Sequence, residues 1–70
     1  MSMTKYLIIY RKRRSTNYTR FYRLVKRLEK QGFIKRRITG IETDSRIIAQ
    51  QLLNEAKNHF EQVELVEINE

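Results

Sequence analysis

The stretch Lys5 to Tyr10 reads Lys-Tyr-Leu-Ile-Ile-Tyr, apolar or aromatic at every position after the lysine. A short unbroken run of this kind, rich in β-branched and Tyr side chains, predicts a buried strand. It ends in Arg11-Lys12-Arg13-Arg14, and the next three residues, Ser15-Thr16-Asn17, are all of the type that caps a helix N-terminus. At about 100° per residue, Tyr18, Phe21, Tyr22, Val25 and Leu28 then share one face, with Leu24 at its edge. Arg20, Arg23, Lys26, Arg27 and Lys30 fill the opposite face as a basic stripe. Gly32 stands where a residue in the left-handed conformation would close the helix, with Phe33 placed to pack back on it.

Phe33 to Glu42 predicts a second extended segment, with Ile34, Arg36 and Ile38 alternating against Phe33, Lys35 and Arg37. Thr39-Gly40 either divides it into a short hairpin or marks a bulge near the end of one strand. Thr43 or Asp44 is expected to cap a second helix, whose apolar face is Ile48, Ala49, Leu52, Leu53, Ala56 and Phe60. Its wet face, Gln50, Gln51, Asn54, Lys57 and Asn58, is mostly neutral. Val63 to Ile68 predicts a closing strand, with Glu64 and Glu67 toward solvent.

The element order β-α-β-α-β, over residues 1–70 as one domain, predicts an α/β chain of the α+β two-layer kind. A small three-stranded sheet would carry both helices on one face, and a real turn at Thr39-Gly40 would make it four-stranded and ferredoxin-like. The other sheet face would be left partly open. A 70-residue chain of this size buries only about 60% of its unfolded surface, and with no Cys it has no disulfide to supplement the core. The longest apolar run, Tyr6 to Tyr10, is far too short to span a membrane, and the Met-Ser-Met-Thr start lacks a signal-peptide pattern. A soluble, cytoplasmic protein is the expectation.

Charge changes this picture more than composition does. The net charge is +7, but residues 1–37 hold thirteen Lys and Arg against one acid, Glu29, for a net +12. Residues 38–70 hold Arg46 and Lys57 against seven acids, for a net −5. Like charge concentrated in this way is destabilising unless something binds it, so an acidic or polyanionic partner is expected.

Catalysis is not expected. The chain has one His, no Cys, and only Gly32 and Gly40, which form no phosphate-cradling loop. His59 falls near the end of the second helix, where an imidazolium suits the helix dipole. Asp44 beside Glu42 reads as a cap before it reads as a cation site, and no metal or other cofactor is implied.

The basic residues Arg11, Lys12, Arg13, Arg14, Arg20, Arg23, Arg27, Lys30, Lys35, Arg36 and Arg37 are the candidate nucleic-acid-binding set. Arg suits phosphate because its planar guanidinium donates two parallel hydrogen bonds. The first four would lie at the carboxyl edge of the first strand, close to the start of the basic helix stripe. Lys35 to Arg37 would enter from the opposite edge as a second contact, which a duplex or folded RNA is long enough to reach. Tyr10 and Tyr18, nearest the basic loop, are the candidates for stacking on unpaired bases. The expected partner is therefore nucleic acid, RNA ahead of DNA. The alternative is a scaffold or linker module docking an acidic protein or a second copy of itself.

Two likenesses accompany these readings. The small size, basic surface and Val-Glu-Leu-Val-Glu ending resemble a small large-subunit ribosomal protein, which implies RNA. The stretch from Tyr18 through Gly32-Phe33-Ile34 is similar to the helix-Gly-Gly-strand of CpcD-like phycobilisome linker domains, which implies a protein partner. It departs from that pattern at Phe33, and the helix from Asp44 to Phe60 lies outside it.

Overall fold

In the computed structural model, which describes residues 4–14 and 19–69, two ten-residue strands, β1 (Thr4–Arg13) and β4 (Phe60–Asn69), pair antiparallel from Thr4↔Asn69 to Arg13↔Phe60. The other edge of β1 takes β3 (Ile41–Thr43), and β3 takes β2 (Ile34–Arg36), giving the order β2-β3-β1-β4 with every neighbour antiparallel. The helices α1 (Thr19–Lys30) and α2 (Arg46–His59) fill the two crossovers. This is the four-stranded, ferredoxin-like α+β arrangement that the Thr39-Gly40 turn predicts.

Alternation along the long strands sorts the side chains. Ile8 is fully buried, and Tyr6, Tyr10, Val63 and Leu65 pack beside it against Phe21, Val25 and Leu28 of α1 and Ala49, Leu52 and Ala56 of α2. Ile34 and Ile41 complete this layer from the short strands. Fully burying one such aliphatic or aromatic side chain stabilises by about 1.5–3 kcal/mol, so a core of ten buried apolar residues leaves little margin. Leu7, Ile9, Val66 and Ile68 are only half-buried and do not belong to that cluster; they sit on the face without helices.

The local signals account for most boundaries. Gly32 has φ 82°, its N–H donates to the Glu29 carbonyl at 3.1 Å, and the Phe33 N–H donates to the Leu28 carbonyl at 3.0 Å. This is the paired hydrogen-bond closure that a left-handed C′ glycine permits. The backbone closure forms, but Phe33 does not pack back: its side chain remains 53% exposed. The hairpin joins Arg37 to Gly40 through two backbone bonds of 2.7 and 3.3 Å, leaving Ile38 and Thr39 at its tip. Ile38 is therefore fully exposed instead of continuing the apolar alternation. Gly40 needs no positive φ. It is required because a Cβ there would collide with the Ile8 carbonyl group of β1, whose carbon would lie 2.9 Å away.

Two expected boundaries move. Ser45, not Thr43 or Asp44, caps α2, its hydroxyl accepting from the Ile48 N–H at 3.3 Å. Thr43 is buried and its hydroxyl donates to the Phe33 carbonyl at 2.9 Å, which locks the start of β2 to the end of β3. The closing strand starts at Phe60 instead of Val63, directly after α2, with the Phe60 N–H still bonded to the Ala56 carbonyl. Phe60 is extended (φ −130°, ψ 146°) yet buried against Tyr10 and Phe21, so it serves both the strand and the helix-facing core. The expected cap of α1 at Ser15-Thr16-Asn17 lies outside the described residues.

Candidate nucleic-acid interface

The two basic segments meet through the C-terminal end of α2. The Arg14 N–H donates to the His59 carbonyl at 2.8 Å, which fastens the end of β1 there. From the same turn of α2, Glu55 Oε1 lies 3.2 Å from His59 Nε2 and 3.3 Å from Arg20 Nε, which fastens the start of α1. The run Arg11 to Arg14 and the head of the α1 stripe therefore share one end of the molecule, as the strand-then-helix order predicts.

Along α1, Thr19, Arg20, Arg23, Leu24 and Arg27 form one wall of an open groove of 760 Å³ whose other wall is Gln51 and Glu55 of α2. Leu24 is partly buried against the core, so the groove has an apolar base under three guanidinium groups. Lys26 and Lys30 continue the exposed stripe on the outer side of the helix. Arg11, Lys12, Arg14, Arg23, Lys26, Arg27 and Lys30 are exposed, and among the described residues none has a carboxylate within ion-pair reach. Seven exposed cations, against Glu55 in the groove, Glu29 on α1 and Glu61 and Glu64 beside Arg11, still make a strongly positive surface.

Lys12 adds a conformational feature. Its φ of 58° puts a non-glycine residue in the left-handed region inside the basic run, at a cost of roughly 1–2 kcal/mol. Ladder pairing skips it, passing from Arg11↔Gln62 to Arg13↔Phe60.

Lys35 to Arg37 stand differently from expectation. Both β1 and β2 run antiparallel to β3, so β2 runs the same way as β1, and Arg36 reaches the level of Ile8 through Ile41. Arg37 lies one step further toward the end of the sheet where Arg11 lies, so these residues do not enter from the opposite end. They are set apart by one intervening strand and by their partners. Arg36 Nε is 3.4 Å from Glu29 Oε2, and Arg37 Nη2 donates to Glu42 Oε2 at 3.2 Å. The Arg37 hydrogen bond holds the Glu42 carboxyl below its ordinary pKa, opposed by desolvation and helped by the charges of Arg37, Lys5 and Lys35. The chain's own acids thus answer the second basic cluster, while the first is left open.

Of the two candidate stacking residues, Tyr18 lies outside the described residues. Tyr10 is on the helix-facing side, its ring 5.2 Å from that of Phe21 and 4.7 Å from that of Phe60. Burial raises its phenol pKa, reinforced by Tyr22 and opposed by Arg36. Partly buried, that ring is engaged by the core through Phe21 and Phe60, a packing role in place of the expected stacking one. Glu55 is the residue that sequence reasoning passed over. Its i,i+4 spacing to His59 is the signal that could have found it. His59 is held at the end of α2 as expected, with its Nδ1 buried and unpartnered, and the described residues contain no cluster of ligands for a metal ion. No helix among the described residues is long and apolar enough to cross a membrane.

Compared with protein-family models, curated proteins and solved structures, the chain matches none.

Proposed function

We propose that this chain is a non-enzymatic nucleic-acid-binding protein that grips the phosphate backbone with the end of β1 and the exposed face of α1. The observation that carries this reading is the set of exposed cations, Arg11, Lys12, Arg14, Arg23, Lys26, Arg27 and Lys30, none of which has an ion-pair partner among the described residues, while Glu29 and Glu42 pair with Arg36 and Arg37. A polyphosphate is the partner whose charge density answers such a surface, and release of its counterions drives the association. Arg23 and Arg27 stand one turn apart on α1, a spacing of about 6 Å that suits contacts to neighbouring phosphates of one strand.

Contact of this kind positions the protein without reading sequence, since base edges are read by groups that enter a groove. Tyr10 is committed to the core, so base stacking is not part of this reading for the described residues. The partner follows as a nucleic acid recognised by charge and backbone shape. The test is fluorescence anisotropy with labelled single-stranded RNA, duplex RNA and duplex DNA of equal length. Wild type is compared with a variant carrying Arg11→Ala, Arg14→Ala, Arg23→Ala and Arg27→Ala. Binding to at least one of the three that drops sharply in the variant supports the proposal. Absence of binding to all three at low salt overturns it.

A further inference from the structure

The groove between α1 and α2 has two chemically different walls. On the α1 side stand Arg20, Arg23 and Arg27, whose guanidinium groups only donate hydrogen bonds, beside the apolar Leu24. On the α2 side stand Gln51, whose amide both donates and accepts, and Glu55, which only accepts. Gln51 is exposed and has no hydrogen-bond partner among the described residues. Glu55 is approached by His59 Nε2 and Arg20 Nε, both at Oε1. A carboxylate has about four acceptor positions, so these two contacts leave capacity for a further donor. Gln51 and Glu55 are one helical turn apart, as Arg23 and Arg27 are, so the two walls repeat at the same step of about 6 Å.

We infer that this groove takes single-stranded RNA and distinguishes it from DNA through the ribose 2′-hydroxyl, which donates to Glu55 with Gln51 beside it. The inference rests on the phosphate-binding reading of α1 and adds to it a choice of sugar. A ligand that only carried phosphates would satisfy Arg23 and Arg27 but would meet repulsion at Glu55. The occupant that suits both walls presents anions to α1 and a hydrogen-bond donor to α2. A ribose–phosphate strand does both, because its 2′-hydroxyl is a donor and an acceptor on the same chain as the phosphates. A deoxyribose strand presents only C–H at that position, so the acceptors of the α2 wall lose water and gain nothing in return. The volume of the groove, 760 Å³, is that of a small-molecule site, about 300–1,000 Å³. It fits one or two nucleotides of a single strand and excludes a duplex.

Fluorescence anisotropy on the full chain with three labelled single strands of one sequence tests the inference: RNA, DNA with uracil in place of thymine, and RNA methylated at every 2′-oxygen. The methylated strand keeps the sugar oxygen but has no proton to donate. RNA should bind roughly tenfold tighter than either of the others, the worth of about one hydrogen bond to a charged group. Glu55→Ala should bring that ratio close to one, and Gln51→Ala should narrow it. Arg23→Ala should weaken all three strands alike and keep the ratio. Circular dichroism checks that each variant is folded, and Gln51, which is exposed, carries the test if Glu55→Ala is not. Equal affinity for the three strands overturns the inference and leaves phosphate binding standing. A preference for RNA that survives in every folded variant of Glu55 and Gln51 overturns it as well. Failure of all three strands to bind at low salt overturns the phosphate-binding reading and this inference with it.

Discussion

The backbone amide of Arg14 donates to the carbonyl of His59 at 2.8 Å, tying the last residue of the basic run to the last residue of α2. Because Glu55, one turn earlier, also holds Arg20, a single helix end organises both basic segments. Glu55 is then both a structural link and the one acid in the groove. Glu55→Gln should lower stability by about 1 kcal/mol, since it weakens a part-buried hydrogen bond and loses an exposed ion pair of small value. The same change should tighten polyanion binding. Thermal denaturation and anisotropy measured side by side check both signs, and a stability loss without a gain in affinity would remove Glu55 from the interface.

Lys12 carries a φ of 58° that a β-branched residue tolerates badly. Lys12→Gly should raise the unfolding free energy by about 0.5–1 kcal/mol, the relief of strain being partly offset by the freer unfolded chain. Lys12→Val should lower it. Urea titrations with unchanged slopes would report these differences, and equal stabilities for Gly and Val would show that the backbone here is not left-handed.

The two glycines should respond in an unexpected order. Gly32 holds the positive φ but has open space where a Cβ would be, so Gly32→Ala should cost about 1 kcal/mol. Gly40 has an ordinary φ but no room beside Ile8, and Gly40→Ala should cost more, about 2–3 kcal/mol, because the β3–β1 pairing has to open. A smaller loss at Gly40 than at Gly32 would contradict the close approach of the two strands.

Glu42 supplies the pH dependence. Arg37 holds its carboxyl below the ordinary value, so the charged form is favoured in the fold. The resulting stabilisation is fully present above the unfolded carboxyl's pKa and fades as pH falls through the lower folded one. A carbon-detected titration of Glu42 should give a midpoint below that of a free glutamate, and Arg37→Ala should move it upward. A midpoint indifferent to Arg37 would mean that the ion pair does not persist in solution.

Much of the fold is legible in the sequence because its signals are local. The 3.6-residue spacing of Phe21, Val25 and Leu28 identifies the buried face of α1, and Gly32 marks its end. The hairpin at Thr39-Gly40 is legible as a turn, but the reason for Gly40 is not, because that reason is a carbonyl on a strand 32 residues away. Tertiary context also decides the cap of α2. Thr43 has the right chemistry, yet its hydroxyl donates to the Phe33 carbonyl and accepts from the Ser45 N–H, and Ser45 caps instead. In the candidate site, residue type identifies the cations, but only pairing separates Arg23 and Arg27, which are free, from Arg36 and Arg37, which Glu29 and Glu42 hold. Tyr10 misleads for the same reason, since strand alternation turns its ring inward to Phe21 and Phe60.

The most direct test of phosphate binding is the salt dependence of affinity for duplex DNA, measured for wild type and for the combined Arg11, Arg14, Arg23 and Arg27 alanine variant. The account predicts a steep linear fall of log K with log salt in wild type. Removing four phosphate contacts should flatten that slope by up to about 3.6, at ~0.9 for each contact. A slope near zero in wild type, or one identical in the variant, would contradict the claim that these arginines grip a phosphate backbone.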